Sequence, residues 1–318
     1  MIDIFYLEQG TIRRAGVEKL PSLKGKPLWV DITDITREDA ALMRKIFGLH
    51  PLTEEDLHSA RTRIKVEIFP SYLFFVFYGL RRQQELGEEL VQVEYDIVLG
   101  KNFLVSTHSL PCPGVDEMKS NPGKLAGLLG SGPDMLMHHL LDKEVDYFFP
   151  VLDELDDHIE LLEDEVTAKY TRAQLAQILR LKSAIVAVKR MMFQEREKVS
   201  FLAKNEYPFI RKESMPYFRD VYDHMILASE MVDNQRDIIS HSFDVYMSAV
   251  SNSMNEVMKT LSVMATIALP LTVLGGIYGT NFVNLPGSAS PFGFWVMIGG
   301  MLAISVGMLG YFRWRGWF

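Results

Sequence analysis

One cysteine, Cys112, is all that the 318 residues contain, so no internal disulfide can form and no cysteine-based metal centre is expected. That scarcity fits a reducing compartment. Basic residues are outnumbered 33 to 41, and a net charge of −8 argues against a nucleic-acid partner. There is no glycine-rich phosphate loop of the P-loop or dinucleotide-binding kind and no metal-ligand histidine pair, so an enzyme is not expected. His138 and His139 are adjacent and point different ways on a helix, which suits surface or core positions. The opening MIDIFYLEQG lacks the basic start and apolar centre of a signal peptide, so the bulk of the chain is expected to stay on the side where it is made. Glycine is missing between Glu213 and Leu274.

What the chain does have is two long apolar runs near its end. Val257–Tyr278 and Phe292–Phe312 carry one formal charge between them, Lys259. Each matches the ~20 residues that cross ~30 Å of hydrocarbon as a helix. Gly279–Pro291, uncharged, separates them, and Arg313 and Arg315 follow the second. By the positive-inside rule both termini are cytoplasmic and the loop is outside; the expected location is the cell (inner) membrane.

The remainder reads as an α+β cytoplasmic part. Residues 1–110 look mixed α/β, with strands expected at Leu28–Ile32, Tyr72–Leu80, Val91–Leu99 and Phe103–Thr107. Thr36–Phe47 fits a helix with Thr36 as N-cap and Asp39 at N3. Asp56 lies in a short helix opened by Thr53. Pro111–Pro133 is rich in proline and glycine. Met135 to Lys169 and Arg172 to Lys204 then read as two long helices with Tyr170-Thr171 between them, a helical hairpin within 111–212. Eight acidic residues between Asp153 and Glu165 form either a solvated helix face or a field that attracts cations. From Glu213 one helix is expected to run through a stalk (213–256) into the first span (257–278), roughly 90 Å at 1.5 Å per residue. The loop (279–291), the second span (292–312) and a short cytoplasmic tail (313–318) complete the chain.

Alternate steps of four and three from Asp244 give Ser248, Ser251, Asn255, Met258, Ser262, Ala265, Leu269, Thr272, Gly276 and Gly279. This 3.5 spacing is that of helices supercoiling with copies of themselves. A dry seam would hold Leu, Ile and Val; this one is small or polar with an apolar middle. It suits either a water-filled pore with a dewetting gate or close helix packing. Pro270 leaves the carbonyl of Thr266 without its helical partner.

The first span ends in Ile277-Tyr278-Gly279-Thr280-Asn281-Phe282. This resembles the Tyr-Gly-Met-Asn-Phe signature of the CorA family of magnesium and cobalt channels. The resemblance extends to Ser251–Lys259, to Met215–His224, and to His50-Pro51-Leu52 followed by Glu55-Asp56. It implies a homopentameric funnel whose first spans line one pore through the bilayer, carrying Mg²⁺ and Co²⁺ as substrates. Family pore positions fall on Asn255, Met258, Leu261, Leu269, Thr272 and Asn281; Leu261 lies one residue off the stripe. Gly279, Thr280 and Asn281 match the selectivity filter. Asp56 and Asp220 match an inter-subunit regulatory metal site, and Glu55 and Asp142 a second one. Thr280 replaces the usual methionine, and the outer loop lacks an acidic residue; both features also occur in the zinc-transporting branch, so Zn²⁺ stays open as the ion. Asn281 could equally be a helix C-terminal cap. A membrane-anchored scaffold or sensor is the reading in which the stripe only packs.

Overall fold

The computed structural model describes residues 1–59, 66–83, 89–168, 171–282, 285–287 and 290–317. The chain divides into two units, one of residues 1–165 and 171–242, the other of 166–170 and 243–318.

The first unit is built on a seven-stranded mixed sheet, β1 (Ile2–Glu8), β2 (Thr11–Ala15), β3 (Leu28–Thr33), β4 (Val66–Ile68), β5 (Tyr72–Gln83), β6 (Glu89–Gly100) and β7 (Phe103–His108), in the order β2-β1-β3-β7-β6-β5-β4. Only β3 and β7 run parallel. Alternation along each strand gives the sheet two buried faces. Val30, Ile32, Tyr72, Phe74, Val76 and Val98 share a core with Ala40, Met43 and Ile46 of α1 (Arg37–Phe47) and Leu57 of α2 (Pro51–His58). On the opposite face Phe77 stacks on Phe148 at 6.0 Å.

The four expected strands are present, each extended at one or both ends. The hairpin β1–β2 was not expected: it is an edge pair whose β2 is largely exposed, so alternation in the sequence is weak. Thr36 caps α1 with Asp39 in a reciprocal capping box, and Gly48 ends it in the left-handed region at φ 69°. Helix α2 opens at His50, not Thr53. Pro51 supplies a first helical residue that needs no N–H partner, and the His50 ring accepts from Leu52. Thr53 is buried and bonds Tyr72 instead.

The Pro/Gly-rich stretch folds into α3 (Pro113–Ser120) and α4 (Pro122–Ser131), each with proline at its start. The helix expected over Met135–Lys169 is two, α5 (Pro133–Asp146) and α6 (Phe148–Ala168). Pro150 has no N–H for the carbonyl of Asp146, so the hydrogen-bond ladder breaks at Tyr147. Helix α7 (Arg172–Lys204) has the expected bounds and a Thr171–Gln174 capping box; Lys169 and Tyr170 lie outside the described residues. A 3-10 turn, Lys212–Ser214, leads into α8 (Met215–Tyr278), 64 residues that continue through Pro270. Helix α9 (Gly293–Trp314) is last.

Both apolar stretches are long enough to cross a membrane. Only 6% of the one in α8 and none of the one in α9 is buried, unlike the core helix of a soluble protein.

Candidate functional site: a small-residue helix face and a carboxylate–histidine cluster

Within the second unit, the residues of α8 divide by face. Val263 is buried, Ile267, Pro270 and Leu274 are partly covered, and Gly275 lies against Met301 of α9. The stripe from Asp244 through Ser248, Asn255, Met258, Ala265, Leu269 and Thr272 to Gly279 is exposed at every position. Met258 and Leu261 are 60% and 59% exposed, so both apolar side chains project from the face that α9 leaves uncovered. Leu261 and Ser262 are both exposed.

The end of α8 is defined by Gly279. Its N–H bonds Gly275 at 2.9 Å, and a Cβ added there would stand 2.9 Å from the same carbonyl, so a side chain is excluded without a shift. Thr280 then caps the helix. Its N–H (3.3 Å) and its hydroxyl (2.8 Å) both donate to the carbonyl of Ile277. The capping role considered for Asn281 therefore falls to Thr280. Asn281 is exposed and has no hydrogen-bond partner among the described residues. Tyr278 Oη donates to Pro286 at 3.2 Å, tying the loop to the helix end. Val283, Asn284, Ser288 and Ala289 lie outside the described residues.

In the first unit a different set converges. Ligand atoms of Asp142 on α5 and of Asp220 and His224 on α8 lie within 4.8 Å of one another. Asp220 and His224 are four residues apart, on one face of one helix. His224 Nδ1 is 4.0 Å from Asp142 and 3.7 Å from Asp146. Two aspartates expected in separate sites are thus adjacent, and His224 joins them; its signal in the sequence was the i, i+4 spacing from Asp220. Asp56 and Glu55, on α2, are not members of this group.

The cluster has an anchor that sequence reading missed. Asp134, buried in the first turn of α5, accepts from Ser214 Oγ at 2.6 Å, from Arg211 N at 3.0 Å and from the Arg211 guanidinium. Asp142 lies eight residues, just over two turns, beyond Asp134 on α5, and Asp220 follows Ser214 by six. Pinning Asp134 to the start of α8 thereby sets the register that brings Asp142 to Asp220. His138, one turn before Asp142, packs on Tyr217 and Phe218; burial holds its pKa below the usual histidine value.

Two carboxylates and an imidazole form a mixed oxygen–nitrogen donor set. It suits a borderline divalent ion such as Co²⁺ or Zn²⁺, and its oxygens alone suit Mg²⁺ with retained waters.

A family model described as CorA-like Mg²⁺ transporter protein matches residues 24–314. The chain belongs to the CorA family. A cobalt/magnesium transport protein CorA of Thermotoga maritima is 36% identical over 293 residues, covering 92% of this CorA chain and 83% of the relative. The zinc transport protein ZntB of Yersinia enterocolitica is more distant, 21% identical over 92% of this chain and 88% of its own. The complete structure of the CorA magnesium transporter from Methanocaldococcus jannaschii superposes with a TM-score of 0.85 at 22% identity, covering 100% of this chain and 99% of that one. The CorA fold therefore extends over both units.

Proposed function

We propose that this chain transports divalent cations across a membrane, with Mg²⁺ and Co²⁺ as its substrates. The observation that carries this reading is the exposed, largely small or polar face of α8 ending at Gly279-Thr280-Asn281, in a chain matched to the CorA family over residues 24–314. Copies assembled around that face, five in the family arrangement, enclose a wet path with an apolar middle at Met258, Leu261, Ala265 and Leu269. Mg²⁺ gives up its water slowly, so a ring of uncharged Asn281 amides and Gly279 carbonyls can read the hydrated ion and still release it. Thr280 leaves the Asn281 amide free by taking the helix cap itself.

Regulation follows from the cluster. Asp220 of one protomer and Asp56 of its neighbour bridge a cytosolic divalent ion, with Asp142, Glu55 and His224 beside it. Bound metal holds like charges together and favours the closed, symmetric state; its loss restores their repulsion. This works as feedback when the site's affinity lies near the resting free concentration of the ion.

Purified protein in liposomes should take up Mg²⁺, with Co²⁺ competing. Preferred uptake of Zn²⁺ would move the chain to the zinc-transporting branch, a reading favoured by Thr280 and the uncharged outer loop and disfavoured by the lower identity to ZntB. No flux of any divalent ion would leave a membrane-anchored scaffold.

A further inference from the structure

Where α9 ends, the chain turns back on itself. Gly316 adopts φ +70°, its N–H bonds Arg313, and the N–H of Trp317 bonds Phe312, each at 3.0 Å. The ring of Trp317 packs on Phe312 at 5.3 Å. This pair of bonds with an apolar contact is the Schellman ending of a helix. It carries Trp317 to Lys259 on α8, whose Nζ donates to Gly316 at 3.1 Å and lies 5.8 Å from the Trp317 ring. Arg315 lies over both Tyr311 and Trp314, 5.9 Å from each.

Among the described residues none of these three cations, Lys259, Arg313 or Arg315, forms an ion pair with a carboxylate. The nearest acid in sequence, Glu256, is not paired with Lys259. The aromatic side chains around them are open, with Trp314 80% and Tyr311 51% exposed. Arg315 Nε donates to Tyr311 Oη at 3.4 Å, but neither it nor the other two cations has a carboxylate partner among the described residues. Such groups beside exposed Trp and Tyr, at the end of two apolar spans, match the chemistry of a headgroup layer: phosphate for the cations, glycerol and upper acyl chain for the rings. We propose that this end of the two apolar spans, at Lys259 of α8 and the C-terminus of α9, binds an anionic phospholipid through its phosphate, and that the bound lipid braces the hook against Lys259, next to Met258.

Tryptophan quenching by brominated lipids tests this. In a Trp295→Phe background, Trp314 and Trp317 are the remaining exposed tryptophans, Trp29 being buried. Full-length protein is reconstituted in mixtures of brominated phosphatidylglycerol and phosphatidylcholine. The relative binding constant should favour phosphatidylglycerol by about fivefold or more. It should fall to near one in R313Q/R315Q and stay high in R313K/R315K. Inorganic phosphate should change it no more than chloride at equal ionic strength. A ratio near one in the unsubstituted protein, or an unchanged preference in R313Q/R315Q, overturns the proposal. Phosphate competing beyond chloride overturns it too, since the site would then take the free anion. Loss of preference in R313K/R315K together with R313Q/R315Q would place the effect in arginine packing and not in headgroup charge.

Discussion

At the scale of single residues, the sheet unit holds ionisable groups in unusual states. Asp31 is fully buried; burial alone would raise its carboxyl pKa, but hydrogen bonds and charge from His108 and Lys119 outweigh it and hold the value low. His108 is raised in return: burial opposes its charge, and the Asp31 contact prevails. Beside β5, Glu195 and Lys198 of α7 pair at 2.7 Å, with Lys198 also donating to the carbonyl of Val76. Burial pushes Glu195 up to about 7 and Lys198 down, so desolvation costs more than the pair returns. The signs combine. Stability from Asp31 is present above about pH 3.9 and is lost as pH falls through its lowered folded value. Stability from His108 is full below about pH 6.5 and is lost as pH rises through its raised folded value. The contribution of Glu195 is full below about pH 4.3 and fades as pH rises toward 7. His108 and Glu195 together should therefore tilt the thermal midpoint down from pH 6 to pH 8, against the opposite pull of Lys198, His138 and His139, whose lowered pKa values favour the higher pH. Glu195→Gln should flatten that slope, and Glu195→Gln with His108→Asn should flatten it further. A slope unchanged in the double variant would show that other groups set it.

At the scale of elements, α8 carries most of the proposed function. Its 3.5-residue stripe was legible in sequence because small and polar side chains recur at one angle over ten turns. Which way the stripe faces was not legible, since pore lining and helix packing share a composition. The structure puts Val263, Ile267 and Leu274 on the covered side and the stripe on the open one. Met258→Asp or Leu261→Asn should hydrate the apolar middle and raise resting Mg²⁺ flux severalfold in liposomes. Wild-type flux in well-assembled variants would reassign this face to packing. Helix α5 teaches the converse lesson. The break at Tyr147 was present in the sequence as Pro150, but a proline near a helix start and one inside a helix look alike until the ladder is seen.

At the scale of the whole molecule, two predictions separate filter from sensor. Asn281→Ala removes the uncharged amide from every copy of the ring. Transport should fall close to background while the oligomer, read by light scattering, persists; Mg²⁺-selective flux surviving in Asn281→Ala would locate selectivity elsewhere. Asp220→Ala should weaken Mg²⁺ protection of the first unit against proteolysis and leave the conducting path intact. His224→Asn should separate the ions, weakening protection by Co²⁺ more than by Mg²⁺, because the imidazole is the softer donor. Equal loss for both ions would mean that His224 acts by positioning Asp220. Unchanged protection in Asp220→Ala would remove the cluster from regulation.

The sequence alone determined the two apolar spans, the uninterrupted helix leading into the first, the absence of disulfides and the Gly279-Thr280-Asn281 ending. Each is a local property: length of an apolar run, missing glycine, a single thiol, three consecutive residues. Tertiary structure decided what depends on residues far apart in the chain. Asp142 and Asp220 are 78 positions apart and meet because Asp134 binds Arg211 and Ser214, contacts that no periodicity records. The hook at Gly316 reaches Lys259 across 57 residues for the same reason. Even Asn281 gained its freedom from a contact: the carbonyl it could have capped is taken by Thr280, and only the path of the backbone past Tyr278 decides which of the two neighbours reaches it.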